Sequence, residues 1–201
     1  MNTETQIKKA KYIIVGAGLS GLTCAYQLQK SGEDDFLLLE SRDRAGGRIL
    51  TKDGIDYGAT WFQEHHKYVH QLCEELGVGK FPQYSQGQSM LIYSSMAPAH
   101  YFENDPSALP ASRIAGGTSA LIEALSDRLL SKIVYNTHVS GVLLNQDQLE
   151  LKTSRAQYST TKLVITVPPL IATRIMFEPG LPDHLTSVMK NTPTWMSNAI
   201  I

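Results

Sequence analysis

Residues 12–48 read YIIVGAGLSGLTCAYQLQKSGEDDFLLLESRDRAGGR. The apolar run Tyr12–Val15 meets Gly16-Ala17-Gly18-Leu19-Ser20-Gly21 directly. A helical pattern over about 19–30 follows, Gly32 stops it, and a second apolar run, Phe36–Leu39, closes on Glu40. Strand, glycine-rich turn, helix and second strand make a βαβ unit of the kind that holds a dinucleotide. In such a unit the first glycine makes the tight turn, the second lets the backbone approach a pyrophosphate, and the third lets helix and strand pack closely. The helix N-terminus offers free N–H groups and a positive dipole end to the phosphates. Glu40 follows Gly21 at the distance, about 20 residues, where an acid accepts a ribose hydroxyl. A carboxylate there would oppose a 2′-phosphate, which disfavours NADP and leaves NAD or FAD.

The residues that follow separate those two. Glu40-Ser41-Arg42-Asp43-Arg44-Ala45-Gly46-Gly47-Arg48 resembles the second motif of the flavin amine oxidase family. Asp56-Tyr57-Gly58-Ala59-Thr60-Trp61-Phe62 is similar to that family's glycine-rich stretch beside the isoalloxazine. NAD dehydrogenases do not normally carry a GGR after the second strand. The chemistry agrees: a Gly-Gly pair permits close backbone approach, and a neighbouring Arg reaches pyrophosphate oxygens with a fixed fork. The resemblance continues in family order through Arg113-Ile-Ala-Gly116-Gly117-Thr118 and its helix, Thr137-His138-Val139, the strand ending in Pro168-Pro169, Phe177-Glu178-Pro179, and Pro193-Thr194-Trp195-Met196. It covers the chain from about Lys11 onward, and it is nearest to the bacterial flavin monoamine oxidase type, close also to L-amino-acid oxidases.

The resemblance implies FAD as cofactor and a role for each matching residue. Gly16, Gly18 and Gly21 shape the phosphate loop, while the backbone of Leu19 and Ser20 and the Ser20 hydroxyl donate to the pyrophosphate. Glu40 takes the adenosine ribose with Ser41 adjacent, and Arg48 reaches the phosphate or flavin side. Gly58, Ala59, Thr60 and Trp61 run along the flavin ring through their backbone, and Val139 meets the adenine through main-chain groups. Ala59 departs from the Gly-Gly pair common in the family; alanine is small enough unless the position needs a positive φ. The implied reaction takes a hydride from the α-carbon of a primary amine or amino acid to flavin N5, giving an imine and, on reoxidation by oxygen, hydrogen peroxide. No catalytic residue is identified. Tyr57, Trp61, Phe62 and Tyr84 are candidate cavity aromatics, though such a residue is more often simple core packing.

Composition sets outer bounds. The chain has 201 residues, 42% hydrophobic and 18% charged, with a net charge of −1. This suits a globular protein with a core and offers no electrostatic footprint for nucleic acid. No apolar run approaches the roughly 18 residues of a membrane helix, and the start lacks a signal-peptide apolar region. Cys24 and Cys73 sit in no zinc spacing; Cys24 reads as a buried small hydrophobe, and the setting as reduced and cytoplasmic. His65, His66, His70 and Cys73 suggest a metal, but no acidic partner stands at a diagnostic spacing, so no metal site is assigned.

The expected architecture is α/β: a Rossmann-like FAD-binding domain with an inserted α+β substrate-domain segment, apparently truncated at the C-terminus. Residues 1–62 form the first part of the FAD-binding domain, 63–112 the insertion, 113–180 the second part, and 181–201 an incomplete return to the substrate domain. Residues 1–10 read as an arm with Lys8, Lys9 and Lys11 solvated, and Glu33-Asp34-Asp35 as a solvated acidic turn. Helices are expected at about 66–76, 117–131 and, weakly, 183–191. Strands are expected near 133–136, 139–145 and 149–153, with a buried parallel strand over 163–167 and an apolar strand-like run over 195–201. Family members are considerably longer, and their later half supplies a final glycine-rich flavin motif, a lysine near the flavin and the aromatic substrate cage. Three readings therefore stand: the N-terminal portion of an amine oxidase; a non-catalytic FAD-binding module or split subunit whose partner chain supplies the later half; or a desaturase or protoporphyrinogen-oxidase-like flavoprotein. The partners expected are a small-molecule amine and such a chain, with no nucleic acid and no membrane.

Overall fold

Tyr12–Val15 and Phe36–Leu39 pair as parallel strands joined by the helix Leu19–Lys30, the unit the sequence predicts. The computed structural model describes residues 7–105 and 107–193. Ile133–Val134 adds to one side of this pair and Lys162–Ile165 to the other, giving a four-stranded, all-parallel sheet. Side chains alternate across it. Tyr12, Ile14, Phe36 and Leu38 face a core built with Leu22 and Ala25 of the first helix, Leu72, Cys73 and Leu76 of the helix Lys67–Leu76, and Leu121 and Leu125 of the helix Ser119–Arg128. Ile13, Val15, Leu37 and Leu39 face a second core with Val139, Val142, Leu151 and Tyr158. Both strand runs are apolar throughout because both faces are covered. Burying each such aliphatic side chain stabilises the fold by about 1.5–3 kcal/mol.

The second layer is a five-stranded sheet. Its order is Lys8–Lys9, Gln157–Thr160, Gln148–Thr153, Val139–Asn145, Met176–Glu178. The expected hairpin at 145–147 closes with Asn145 opposite Gln148, and Gln146 carries the positive φ of 53° that so tight a turn requires.

Several expectations are corrected. Lys8–Lys9 is no free arm: it pairs in parallel with Tyr158 and Ser159, and Ala10 is buried. The lysine stems leave the sheet edge while their backbone completes it. Lys11 pairs with Glu33, and Lys132 with Asp34 at 2.9 Å, so the acidic turn is tied from two sides. Lys162–Ile165 is half-buried rather than buried because it is an edge strand of its sheet. Cys24 is half-buried against the first core, and burial pushes its thiol pKa up. The helix expected to reach 131 ends at Arg128 and tightens into a 3-10 turn, Leu130–Lys132. The strand expected to reach residue 136 stops at Val134, and Asn136 has a φ of 54°. Helix Asp183–Asn191 forms as expected. Trp195, Met196 and the run 195–201 lie outside the described residues.

Candidate cofactor site

The glycine loop sits at the carboxyl ends of Tyr12–Val15 and Phe36–Leu39, where open parallel sheets bind ligands. Gly16 has a φ of +103° and donates its N–H to the Leu39 carbonyl at 2.9 Å, so the turn begins while still attached to the neighbouring strand. Gly21 is glycine for a different reason: a Cβ there would stand 1.9 Å from the Gly16 carbonyl oxygen. At Gly18, by contrast, an added Cβ would meet nothing within 4 Å. The helix that follows has no side-chain cap and no acidic residue in its first turn, and its first backbone bond runs from Leu22 N–H to the Gly18 carbonyl at 2.9 Å. The amides of Leu19 and Ser20 precede that bond and lie at the positive end of the helix dipole.

Glu40 is buried, 6% exposed, and its carboxylate is anchored by backbone. Oε2 accepts the Ala17 N–H at 2.8 Å; Oε1 accepts the Arg42 N–H at 2.9 Å and the Ser41 hydroxyl at 3.3 Å. A carboxylate offers about four lone-pair positions, so one remains on Oε2 for a further donor. The Glu40 carbonyl accepts the Thr137 N–H at 2.8 Å, which leads the chain into Val139–Asn145 beside the same strand ends. Val139 itself is buried against Leu39 and Val15.

The double-glycine loop is stitched onto the first loop. Gly46 donates its N–H to the Ala17 carbonyl at 2.8 Å and bridges to Gly18. Two arginines clamp it: Arg42 and Arg44 both donate to the Gly47 carbonyl, at 2.9 and 3.1 Å. Arg48 is left exposed, and its guanidinium has no hydrogen bond or ion pair with any described residue. Gly58 passes directly over Arg48, with a Cβ there falling 1.9 Å from the Arg48 carbonyl oxygen. That contact brings Gly58, Ala59, Thr60 and Trp61 beside the loop, with Thr60 donating to the Gly58 carbonyl at 3.1 Å and Trp61 58% exposed. Ala59 is not among the residues with positive φ, so alanine sits there without strain.

Sequence reasoning missed the groups that hold this arrangement. Thr166 donates to the carbonyls of Val15 and Gly16 at 2.9 and 3.1 Å and lies against Gly21. Asp56, its side chain 4% exposed, gathers the Thr51 hydroxyl at 2.6 Å, the Thr118 N–H at 2.9 Å and hydroxyl at 2.8 Å, and Arg113 at 3.6 Å. Burial works to raise the Asp56 carboxyl, but the bonds from Thr51 and Thr118 together with Arg113 hold it below the usual carboxylate range. A buried polar cluster of this kind leaves no periodic trace in sequence. The arginine pair at 42 and 44, just before Gly46-Gly47, was the signal available for the clamp.

Other singled-out residues have local roles. Phe62 packs in the first core, edge-on to His70 with ring centroids 4.8 Å apart. His66 Nδ1 accepts the Gln63 N–H at 3.0 Å, and His70 contacts the Gln63 carbonyl at 3.2 Å and Lys80 Nζ at 3.0 Å. Tyr84 is 76% exposed and borders a cavity shared with Phe81, Gln83 and Arg113, away from the glycine loop. No helix among the described residues is long and apolar enough to cross a membrane.

The family model described as flavin containing amine oxidoreductase matches residues 19–98 and 83–201. The chain belongs to this family. Among curated relatives, a probable flavin-containing monoamine oxidase A of Dictyostelium discoideum is 46% identical over 83 residues, 39% of this chain and 18% of the relative. A putrescine oxidase of Kocuria rosea is 33% identical over 96 residues, 46% of this chain and 20% of that one. The solved structure of a wild-type putrescine oxidase bound to putrescine superimposes with a TM-score of 0.79 at 18% identity, over 92% of this chain and 64% of that one. The chain thus spans under two thirds of the solved relative's length, and its mixed α/β fold with a parallel sheet is shared over nearly all of its own.

Proposed function

We propose that this chain binds FAD and forms the cofactor-holding part of an amine oxidase acting on a primary amine or amino acid. The observation that carries the reading is the uncapped helix N-terminus behind Gly18, with the anchored Glu40 carboxylate beside it and Arg48, unpaired among the described residues, on the double-glycine loop stitched to it. These residues fit FAD. The open space at Gly18 admits a pyrophosphate, and the amides of Leu19 and Ser20, with the Ser20 hydroxyl, donate to it. Glu40 retains a lone pair for a ribose hydroxyl, with Ser41 beside it. Arg48 adds a charge-assisted contact on the phosphate or flavin side. Val139 borders the adenine end, and the backbone of Gly58, Ala59, Thr60 and Trp61 borders the flavin ring.

When bound, FAD supplies the acceptor for a hydride from the amine α-carbon, and its reoxidation by oxygen gives hydrogen peroxide. The chain's own residues bind and orient. Residues 1–62 and 113–180 serve as two parts of the FAD-binding domain, which is supported by the parallel sheet drawing strands from both. Residues 63–112 serve as the inserted substrate segment, whose first helix, Lys67–Leu76, packs into the same core, and 181–201 begin the return to it. A cytoplasmic setting and a partner polypeptide completing the substrate site belong to the same reading.

Anaerobic addition of putrescine, other primary amines and L-amino acids to the FAD-loaded chain tests it. The flavin absorption band is expected to bleach with at least one of them. A band that stays oxidised with all of them would make the chain a non-catalytic FAD-binding module.

A further inference from the structure

Two helices begin at this site, and their N-termini are treated in opposite ways. The helix Leu19–Lys30 starts uncapped. The helix Ser119–Arg128 starts plugged: Asp56 Oδ1 accepts the Thr118 N–H at 2.9 Å, and Thr51 Oγ1 accepts the Ser119 N–H at 3.0 Å while donating to Asp56 at 2.6 Å. Thr51 N–H in turn donates to the Ser119 hydroxyl at 2.7 Å. A carboxylate at a helix N-terminus is well placed electrostatically, and this alone would be an ordinary cap. The Thr118 hydroxyl makes it more than that. It lies 2.8 Å from Asp56 Oδ1 and 2.8 Å from the Ala59 carbonyl. One hydroxyl has one proton, which Thr118 shares between Asp56 Oδ1 and the Ala59 carbonyl oxygen, so both acceptors are held at one point. Gly117 is pressed against the same cluster, a Cβ there falling 2.4 Å from Thr51 Cγ2.

We propose that Asp56 is a positioning residue: through Thr118 it fixes the Ala59 carbonyl, and with it the segment Gly58–Trp61, at the flavin end of the site. This rests on the FAD reading above. Asp56 is remote in role from the adenine end, whose groups are Gly16–Gly21 and Glu40, so it should govern one half of the cofactor and not the other.

Binding of FAD and of ADP, which shares the adenine and pyrophosphate but has no flavin, separates the possibilities. Asp56→Asn keeps the shape but removes the charge and turns an amide toward Arg113. It is expected to weaken FAD by about tenfold, within the range for hydrogen bonds to charged groups, to leave ADP within about twofold, and to alter the visible circular dichroism of the bound flavin. Thr118→Val removes only the hydroxyl and should act in the same direction, while Thr118→Ser should restore wild-type behaviour; this pair decides the matter if Asp56→Asn does not fold. Equal loss of FAD and ADP in Thr118→Val, or loss of neither, would overturn the positioning role. A wild-type chain that binds neither ligand would instead overturn the FAD reading and the inference with it.

Discussion

Gly21→Ala is expected to lower the stability of the chain by about 3 kcal/mol, the upper end for overpacking, and to abolish FAD binding. The added Cβ would stand 1.9 Å from the Gly16 carbonyl oxygen, 2.9 Å from Thr166 Oγ1 and 3.1 Å from the Gly16 carbonyl carbon. Two of those three atoms are backbone, so no side-chain rotation relieves the contact. The helix Leu19–Lys30 would have to move off the strand Tyr12–Val15, parting Leu22 and Ala25 from Ile14 in the first core. Against a total stability of about 5–15 kcal/mol for an ordinary domain, that is a large fraction. Gly18→Ala is the control. Gly18 has a φ of −74° and open space around its missing Cβ, so stability should hardly change while FAD binding weakens, because the methyl group enters the volume meant for the pyrophosphate. Denaturant midpoints and FAD titrations of both variants check this; an unchanged midpoint for Gly21→Ala would refute the packing argument.

Glu40→Ala and Arg48→Ala are each expected to weaken FAD binding by on the order of 1–3 kcal/mol, the value for hydrogen bonds involving charged groups. Their effects on stability should differ. Removing the Glu40 side chain strips the Ala17 and Arg42 N–H groups of their acceptors. Leaving a buried donor unsatisfied costs about 1–3 kcal/mol, so Glu40→Ala should also lower the melting temperature. Arg48 is exposed and unpaired among the described residues, and surface substitutions of that kind usually stay within about 0.5 kcal/mol. Thermal melts without FAD, set beside FAD titrations, separate the two residues. FAD affinity unchanged in both variants would remove them from the site.

The difference between those two residues marks where sequence reading stops. The βαβ unit was legible because its information is local: apolar runs of strand length, glycines at fixed offsets and a helical period between them. Glu40 was found by its distance from Gly21, but not its bonds to the Ala17 and Arg42 amides, since backbone donors carry no residue identity. Ala59 could be questioned from sequence and was settled only by the backbone, where its φ is not positive. Lys8–Lys9 looked like an arm because charge suggested solvent, whereas its backbone completes a sheet edge opposite Tyr158 and Ser159, some 150 positions later in the chain. Met176–Glu178 was likewise too short to show a period, and its partner, Gly141–Leu143, is distant in sequence. Asp56 was quoted within a motif without a role, because the three groups that meet its Oδ1 come from Thr51 and Thr118. Family membership came from motif order along the chain, and the family match over residues 19–98 and 83–201 carries it independently of any single residue.

On the proposed function, this chain by itself holds FAD at the open N-terminus of the helix Leu19–Lys30. The direct measurement is to incubate the purified chain with excess FAD, separate bound from free cofactor by gel filtration, and record the visible spectrum of the protein peak. A stoichiometric flavin band that travels with the wild-type chain and is lost in Gly21→Ala is the expected result. A wild-type peak with no flavin band would contradict FAD binding by this chain.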